Sequence, residues 1–198
     1  MRVFHREHAG RPIRVVWMLE ELGEPYELTT ITSEEGAGEE HHVRHPLGRV
    51  PVLDDGDGFV FESAAICLHL GDSYPQAALL PAPGTHERAL VYQWACFAPA
   101  ELEPPLIESA VQAKRDPERA AAARKRFDAT TTAVAEALGE DEYLVGGSFS
   151  VADVMIGTGL AFTKRVGNFE DLTANLKKYL ARLTERDAYQ RALAATSA

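Results

Sequence analysis

Apolar positions recur at helical spacing between Pro12 and Leu22: Ile13, Val16 and Trp17 fall one turn apart, with Glu20 and Glu21 toward the other side. Pro12 suits a first helical turn and Gly23 a stop, so the pattern predicts a helix with defined ends. Arg2-Val3-Phe4 before it and Tyr26 to Ile31 after it are β-prone, the second through Thr29, Thr30 and Ile31. Together they make a β-α-β unit. Residues 33–46 are polar, with Gly36 and Gly38, and predict a loop with one short helix. Val50 to Leu53 and Gly58 to Phe61 are short apolar runs flanking Asp54-Asp55-Gly56-Asp57-Gly58, a hairpin pattern. Ser63 to Leu70 returns to helical spacing.

The second half has a different rhythm. Leu79 to Thr85 holds Pro81, Pro83 and Gly84, a linker composition. Beyond it every periodic segment is helical: Arg88 to Leu102, interrupted at Pro104-Pro105; Glu118 to Leu138, rich in alanine; then Ser150 to Val166, Leu172 to Leu183 and Tyr189 to Ala194. The expected domains are 1–78 (mixed α/β, β-α-β-α-β-β-α), a linker 79–87, and an all-helical 88–198.

Composition narrows the function. The chain of 198 residues carries 20 basic and 30 acidic residues, a net charge of −10, which disfavours nucleic-acid binding. No apolar run reaches the roughly 20 residues of a membrane span; Val154 to Phe162 is broken by Gly157, Thr158 and Gly159. The first dozen residues lack the apolar core of a secretory signal, so the expectation is a cytoplasmic protein without a membrane partner. Two cysteines, Cys67 and Cys96, exclude a disulfide scaffold and are expected as packed small hydrophobes. His41 and His45 share helical spacing, but no carboxylate or cysteine completes a set, so no metal is expected.

Two segments carry candidate chemistry. Pro51 sits inside a strand-like run and cannot donate to a ladder; either it lies on an edge or the Val50–Pro51 bond is cis, turning the Val50 backbone outward where an extended peptide can pair. Glu62-Ser63 stands where a strand yields to a helix. Ser63 suits an N-cap, and the helix start suits a carboxylate; Glu62 suits an ammonium. An amino-acid head group would satisfy both. Further on, Ser150-Val151-Ala152-Asp153 has the spacing of a capping box, a structural role.

In this order the motifs resemble the soluble glutathione transferase family along nearly the whole chain. Arg14 to Gly23 is similar to its first helix, Pro46 to Leu53 to its cis-proline segment, and Glu62 to Ile66 to its γ-glutamyl-binding segment. Ser150 to Asp153 is similar to its capping motif, and Arg186 to Ala192 to its last helix. The resemblance implies a thioredoxin-like first domain, a helical second domain, glutathione as co-substrate, no permanently bound cofactor, and a homodimer active in detoxification. It implies that Val50, beside a cis Pro51, pairs with the cysteinyl unit, that Glu62 and Ser63 hold the γ-glutamyl end, and that Arg49 reaches the glycyl carboxylate. Trp94, Phe97 and Glu101 would border a small hydrophobic electrophile.

One departure matters. Transferases of this kind activate the thiol with a Tyr, Ser or Cys near the first helix, and Phe4 to Pro12 holds none. The candidates that remain are the charge of Arg11, the backbone N–H groups of Gly10 and Arg11, and a histidine, His5 or His8. The same gap admits a non-catalytic binding protein on this fold, or an enzyme using another thiol.

Overall fold

The computed structural model describes residues 1–7, 10–166 and 169–197. Two compact units divide it: Met1–Leu80 with Glu185–Ala198, and Pro81–Thr184.

The first unit is built on a four-stranded sheet. In chain order it holds β1 (Arg2–His5), α1 (Pro12–Leu22), β2 (Glu27–Thr30), α2 (Ser33–Ala37), α3 (Glu39–Arg44), β3 (Val52–Asp54), β4 (Phe59–Phe61) and α4 (Ser63–Ser73). The sheet order is β2-β1-β3-β4, with β1 and β2 parallel and the other pairs antiparallel. The parallel pair needs a crossover, and α1 supplies it. This is the thioredoxin-like arrangement. The polar 33–46 stretch forms two short helices rather than one; a capping box of Thr32 and Glu35 starts the first. Gly56 takes φ +98° in the acidic hairpin, where a side chain would be strained.

Every residue of α1 from Pro12 to Leu19 is buried. One side packs on β1 and α4; another meets the final helix of the chain, in which the Tyr189 ring stands edge-on to Trp17 at 4.9 Å. Arg186 clamps Glu21 through two bonds of 2.6 and 2.7 Å, and Arg191 reaches Glu20 at 2.5 Å. These contacts place the C-terminal helix in the first unit, whereas the sequence pattern grouped it with the other helices.

The second unit is helical: α5 (His86–Phe97), a π-helical turn (Ala98–Leu102), α6 (Glu103–Gln112), α7 (Pro117–Leu138), α8 (Val151–Ala161), α9 (Thr163–Val166) and α10 (Ala174–Thr184); α11 (Asp187–Ser197) is the helix on α1. The chain stays helical through Pro104-Pro105, contrary to the expected interruption. The wide turn precedes them, and both prolines sit at the start of α6, where missing N–H groups cost least. All of α8 from Val151 to Leu160 is buried. Gly157 permits this, because a Cβ there would collide with Leu183 of α10.

Asp153 is the polar centre of this unit. Its carboxylate accepts from the Leu144 N–H (3.0 Å), the Ser150 N–H (2.9 Å), the Ser150 hydroxyl (3.1 Å) and the Tyr179 hydroxyl (2.8 Å). Ser150 and Asp153 together form a capping box. Burial pushes the Asp153 carboxyl above its usual range, and the four donors pull it back.

Candidate functional site

The sheet register brings the candidate residues of the first unit to one end. β1 and β2 finish there, β3 begins there, and β4 finishes there, since Phe4 faces Val52 and Val52 faces Phe61. The residues just past the strands are therefore Ile31, Arg6, Pro51 and Glu62, in the spatial order of β2, β1, β3 and β4, with Val50 one residue beyond Pro51. The β1–β3 ladder stops at the pair Phe4–Val52, so Val50 lies beyond it. The Val50–Pro51 bond is cis. The Val50 side chain packs against Phe4, Ile31 and Val52, and the His41 ring, through Nε2–H, donates to the Arg49 carbonyl at 2.9 Å. Arg49 itself is exposed.

At the β4–α4 junction Glu62 adopts φ +70°, ψ 113°, a region that costs a non-glycine residue about 1–3 kcal/mol. Glu62 is the N-cap of α4 and makes no side-chain cap bond; its side chain is exposed. Ser63 is thus the first helical residue, not the cap expected from its type. Its buried hydroxyl accepts from Arg14 Nη1 at 3.1 Å, which leaves the Ser63 O–H to donate. Arg14 was not foreseen as a site residue. The signal was partial: Arg14 stands among Ile13, Val15, Val16 and Trp17 in the apolar first half of α1, where a buried charge needs a polar partner.

Arg11 is the N-cap of α1; its φ −79°, ψ −32° are helical and its side chain is half-buried. Gly10 is exposed in the turn before it, and His8 lies outside the described residues. His5 belongs to β1, buried, with Nε2 beside Thr30 Oγ1 at 3.0 Å. Burial lowers its pKa and favours the neutral ring. This makes His5 a member of the sheet and not of the turn. His45 is also buried, its Nδ1 accepting the Leu47 N–H at 3.0 Å and its ring 4.8 Å from Phe61. Burial lowers its pKa, and the nearby Glu62 charge opposes that.

Cys67 is buried on α4, and burial pushes its thiol to about 12, so it is no nucleophile. Cys96 is exposed on α5, which corrects the expectation of a packed residue. In the second unit Trp94 is only 7% exposed, and its ring stands edge-on to Phe97 at 5.2 Å. Phe97 is half-buried, and Glu101, in the π-helical turn, is exposed. Among the described residues no helix is long and apolar enough to cross a membrane.

Comparison with known proteins finds the same geometry elsewhere. Residues 1–72 match the model of the glutathione S-transferase N-terminal domain. The chain is 37% identical over 101 residues to glutathione S-transferase 4 of Zea mays, covering 50% of this chain and 45% of the maize protein. The matched stretch thus spans about half the length of that relative. It is 28% identical over 197 residues to glutathione S-transferase hmp2 of Hypomyces subiculosus, covering 91% and 92% of the two chains. Among solved structures, the ternary complex of BphK, a bacterial GST, superposes with a TM-score of 0.89 at 27% identity over 100% of both chains. A sphingomonad glutathione S-transferase complexed with glutathione gives 0.85 at 26% identity, over 99% of this chain and 98% of that one. Residues 1–72 thus carry the pattern of a glutathione S-transferase N-terminal domain, and the backbone of the whole chain is similar from end to end to that of a bacterial GST.

Proposed function

We propose that the chain is a glutathione transferase that binds glutathione along the strand ends of its first unit. The observation that carries this is the row Val50, Glu62, Ser63: a backbone edge beyond its ladder, an exposed carboxylate held at positive φ, and a hydroxyl primed by Arg14. Val50 would pair with the cysteinyl unit. Ser63 and the open N-terminus of α4 would take the γ-glutamyl carboxylate, and Glu62 its ammonium. The sphingomonad relative, described as complexed with glutathione, supports the same ligand.

The chemistry is nucleophilic substitution. The bound thiol loses its proton to solvent, and the thiolate attacks a small hydrophobic electrophile; a carbon–sulfur bond forms and the leaving group departs with its electron pair. A free thiol of pKa ~8.5 is only about 3% thiolate at pH 7. The charge of Arg11 and the N–H groups of Gly10 and Arg11 would raise that fraction. On family resemblance, Trp94, Phe97 and Glu101 would contact the electrophile. A cytoplasmic homodimer acting in detoxification completes the proposal, on family resemblance.

The test is the pH–rate profile for conjugating glutathione to an aryl halide, in the wild type and in Arg11→Ala. The expected result is turnover whose apparent pKa rises by about a unit in the variant. An unmoved profile excludes Arg11. Tight binding without turnover favours the non-catalytic reading, which the lack of Tyr, Ser and Cys between Phe4 and Pro12 motivates.

A further inference from the structure

We propose that His41 is a positioning residue for glutathione: its ring ties down the Arg49 carbonyl and so turns the Val50 N–H outward to the cysteinyl unit. The inference rests on the glutathione-binding reading above and adds to it a residue that touches no ligand.

The first support is where the backbone groups before Val50 go. His45 ends α3, and the turn after it is closed by that one residue. The His45 carbonyl accepts the Gly48 N–H at 2.8 Å, and its ring Nδ1 accepts the Leu47 N–H at 3.0 Å. Gly48 completes the turn at φ +60°. The next carbonyl is that of Arg49, and the His41 ring takes it through Nε2–H at 2.9 Å. The Arg49–Val50 peptide is trans, so its C=O and N–H point in opposite directions in one plane. With the carbonyl drawn to a buried ring, the Val50 N–H of the same unit is turned away from that ring. Among the described residues that N–H has no hydrogen-bond partner. An extended peptide laid against it can exchange both bonds of one residue pair: Val50 N–H to the cysteinyl carbonyl, and cysteinyl N–H to the Val50 carbonyl.

The second support is what the ring gives up. His41 is 1% exposed, and its Nδ1 is buried with no hydrogen-bond partner among the described residues. The ring stands edge-on to Phe4 at 6.3 Å, in apolar surroundings. A hydrocarbon side chain of similar size would fill this place without leaving a polar atom unpaired. What it would lack is the Nε2–H. Packing alone does not call for an imidazole here; the bond to Arg49 does. The two histidines with helical spacing, His41 and His45, thus each spend a ring nitrogen on the same stretch of backbone.

Calorimetric titration with glutathione and with an analogue in which a trans alkene replaces the cysteinyl–glycine amide separates positioning from folding. The alkene keeps the length and both carboxylates but offers the Val50 N–H no carbonyl. The wild type is expected to prefer glutathione about fivefold, the value of one hydrogen bond. His41→Phe fills the same space without the donor and should bind both ligands alike, with glutathione weakened about fivefold. His41→Leu, a smaller side chain that also lacks the donor, should do the same, and thermal unfolding reports that each variant folds. His41→Gln restores an N–H and should recover most of the preference. The proposal is overturned if a folded His41→Phe or His41→Leu retains the preference, whether or not it weakens both ligands, or if His41→Gln loses it as completely as they do. A wild type that binds both ligands equally sinks the His41 role and leaves glutathione binding standing. A wild type that binds neither sinks the glutathione reading as well.

Discussion

Two helix starts in this molecule face the same physical problem and solve it oppositely. α4 and α8 each begin with unpaired backbone N–H groups after an extended segment. At α8, Ser150 and Asp153 close a capping box, and Asp153 accepts two further bonds from Leu144 and Tyr179. Every acceptor there is spent inside the fold. At α4 no side chain caps the helix; the N-cap residue is a glutamate at positive φ with its carboxylate in solvent, and the one buried hydroxyl keeps its proton to give. A start that satisfies itself serves the fold. The proposed function gives the other start, kept open at a conformational cost, to a ligand.

Substitution at each start should separate the two roles. Asp153→Ala leaves buried amides and the Tyr179 hydroxyl without an acceptor and should cost about 3–5 kcal/mol of stability, read by denaturant unfolding. The glutathione dissociation constant, taken well below the melting temperature, should not move. A loss under about 1 kcal/mol would reduce Asp153 to an ordinary cap. Glu62→Ala should do the reverse, weakening glutathione about tenfold with stability nearly unchanged. Glu62→Gly should weaken binding equally while gaining up to about 1 kcal/mol of stability, since glycine accepts the positive φ. If Glu62→Ala destabilises the chain and spares binding, the contrast between the two starts collapses.

Much of this was legible from residue spacing. The β-α-β unit, the acidic hairpin and the Ser-x-x-Asp box are local patterns, and local patterns survive folding. What escaped were charges inside apolar surroundings. Arg14 stands within a helix buried on all sides, and only the tertiary fold shows that Ser63 is its partner. His5 looked like a base beside a reactive turn because sequence order puts it there; the ladder instead buries it in the sheet next to Thr30. Arg6 carries no motif at all. Its place depends on Gly36, 30 residues away in sequence, a juxtaposition that no periodicity encodes. Pro104-Pro105 misled for the opposite reason. Proline is a breaker in a helix interior, yet a π-helical turn before it made those positions a beginning.

The central claim is that glutathione lies along the ends of the strands in the first unit. A glutathione titration of the isotope-labelled protein followed by backbone amide resonances tests it most directly. The account predicts saturable shifts at micromolar to low-millimolar ligand, largest at Val50, Ser63 and Ala64. No saturable shift, or shifts that leave those three residues untouched, would contradict it.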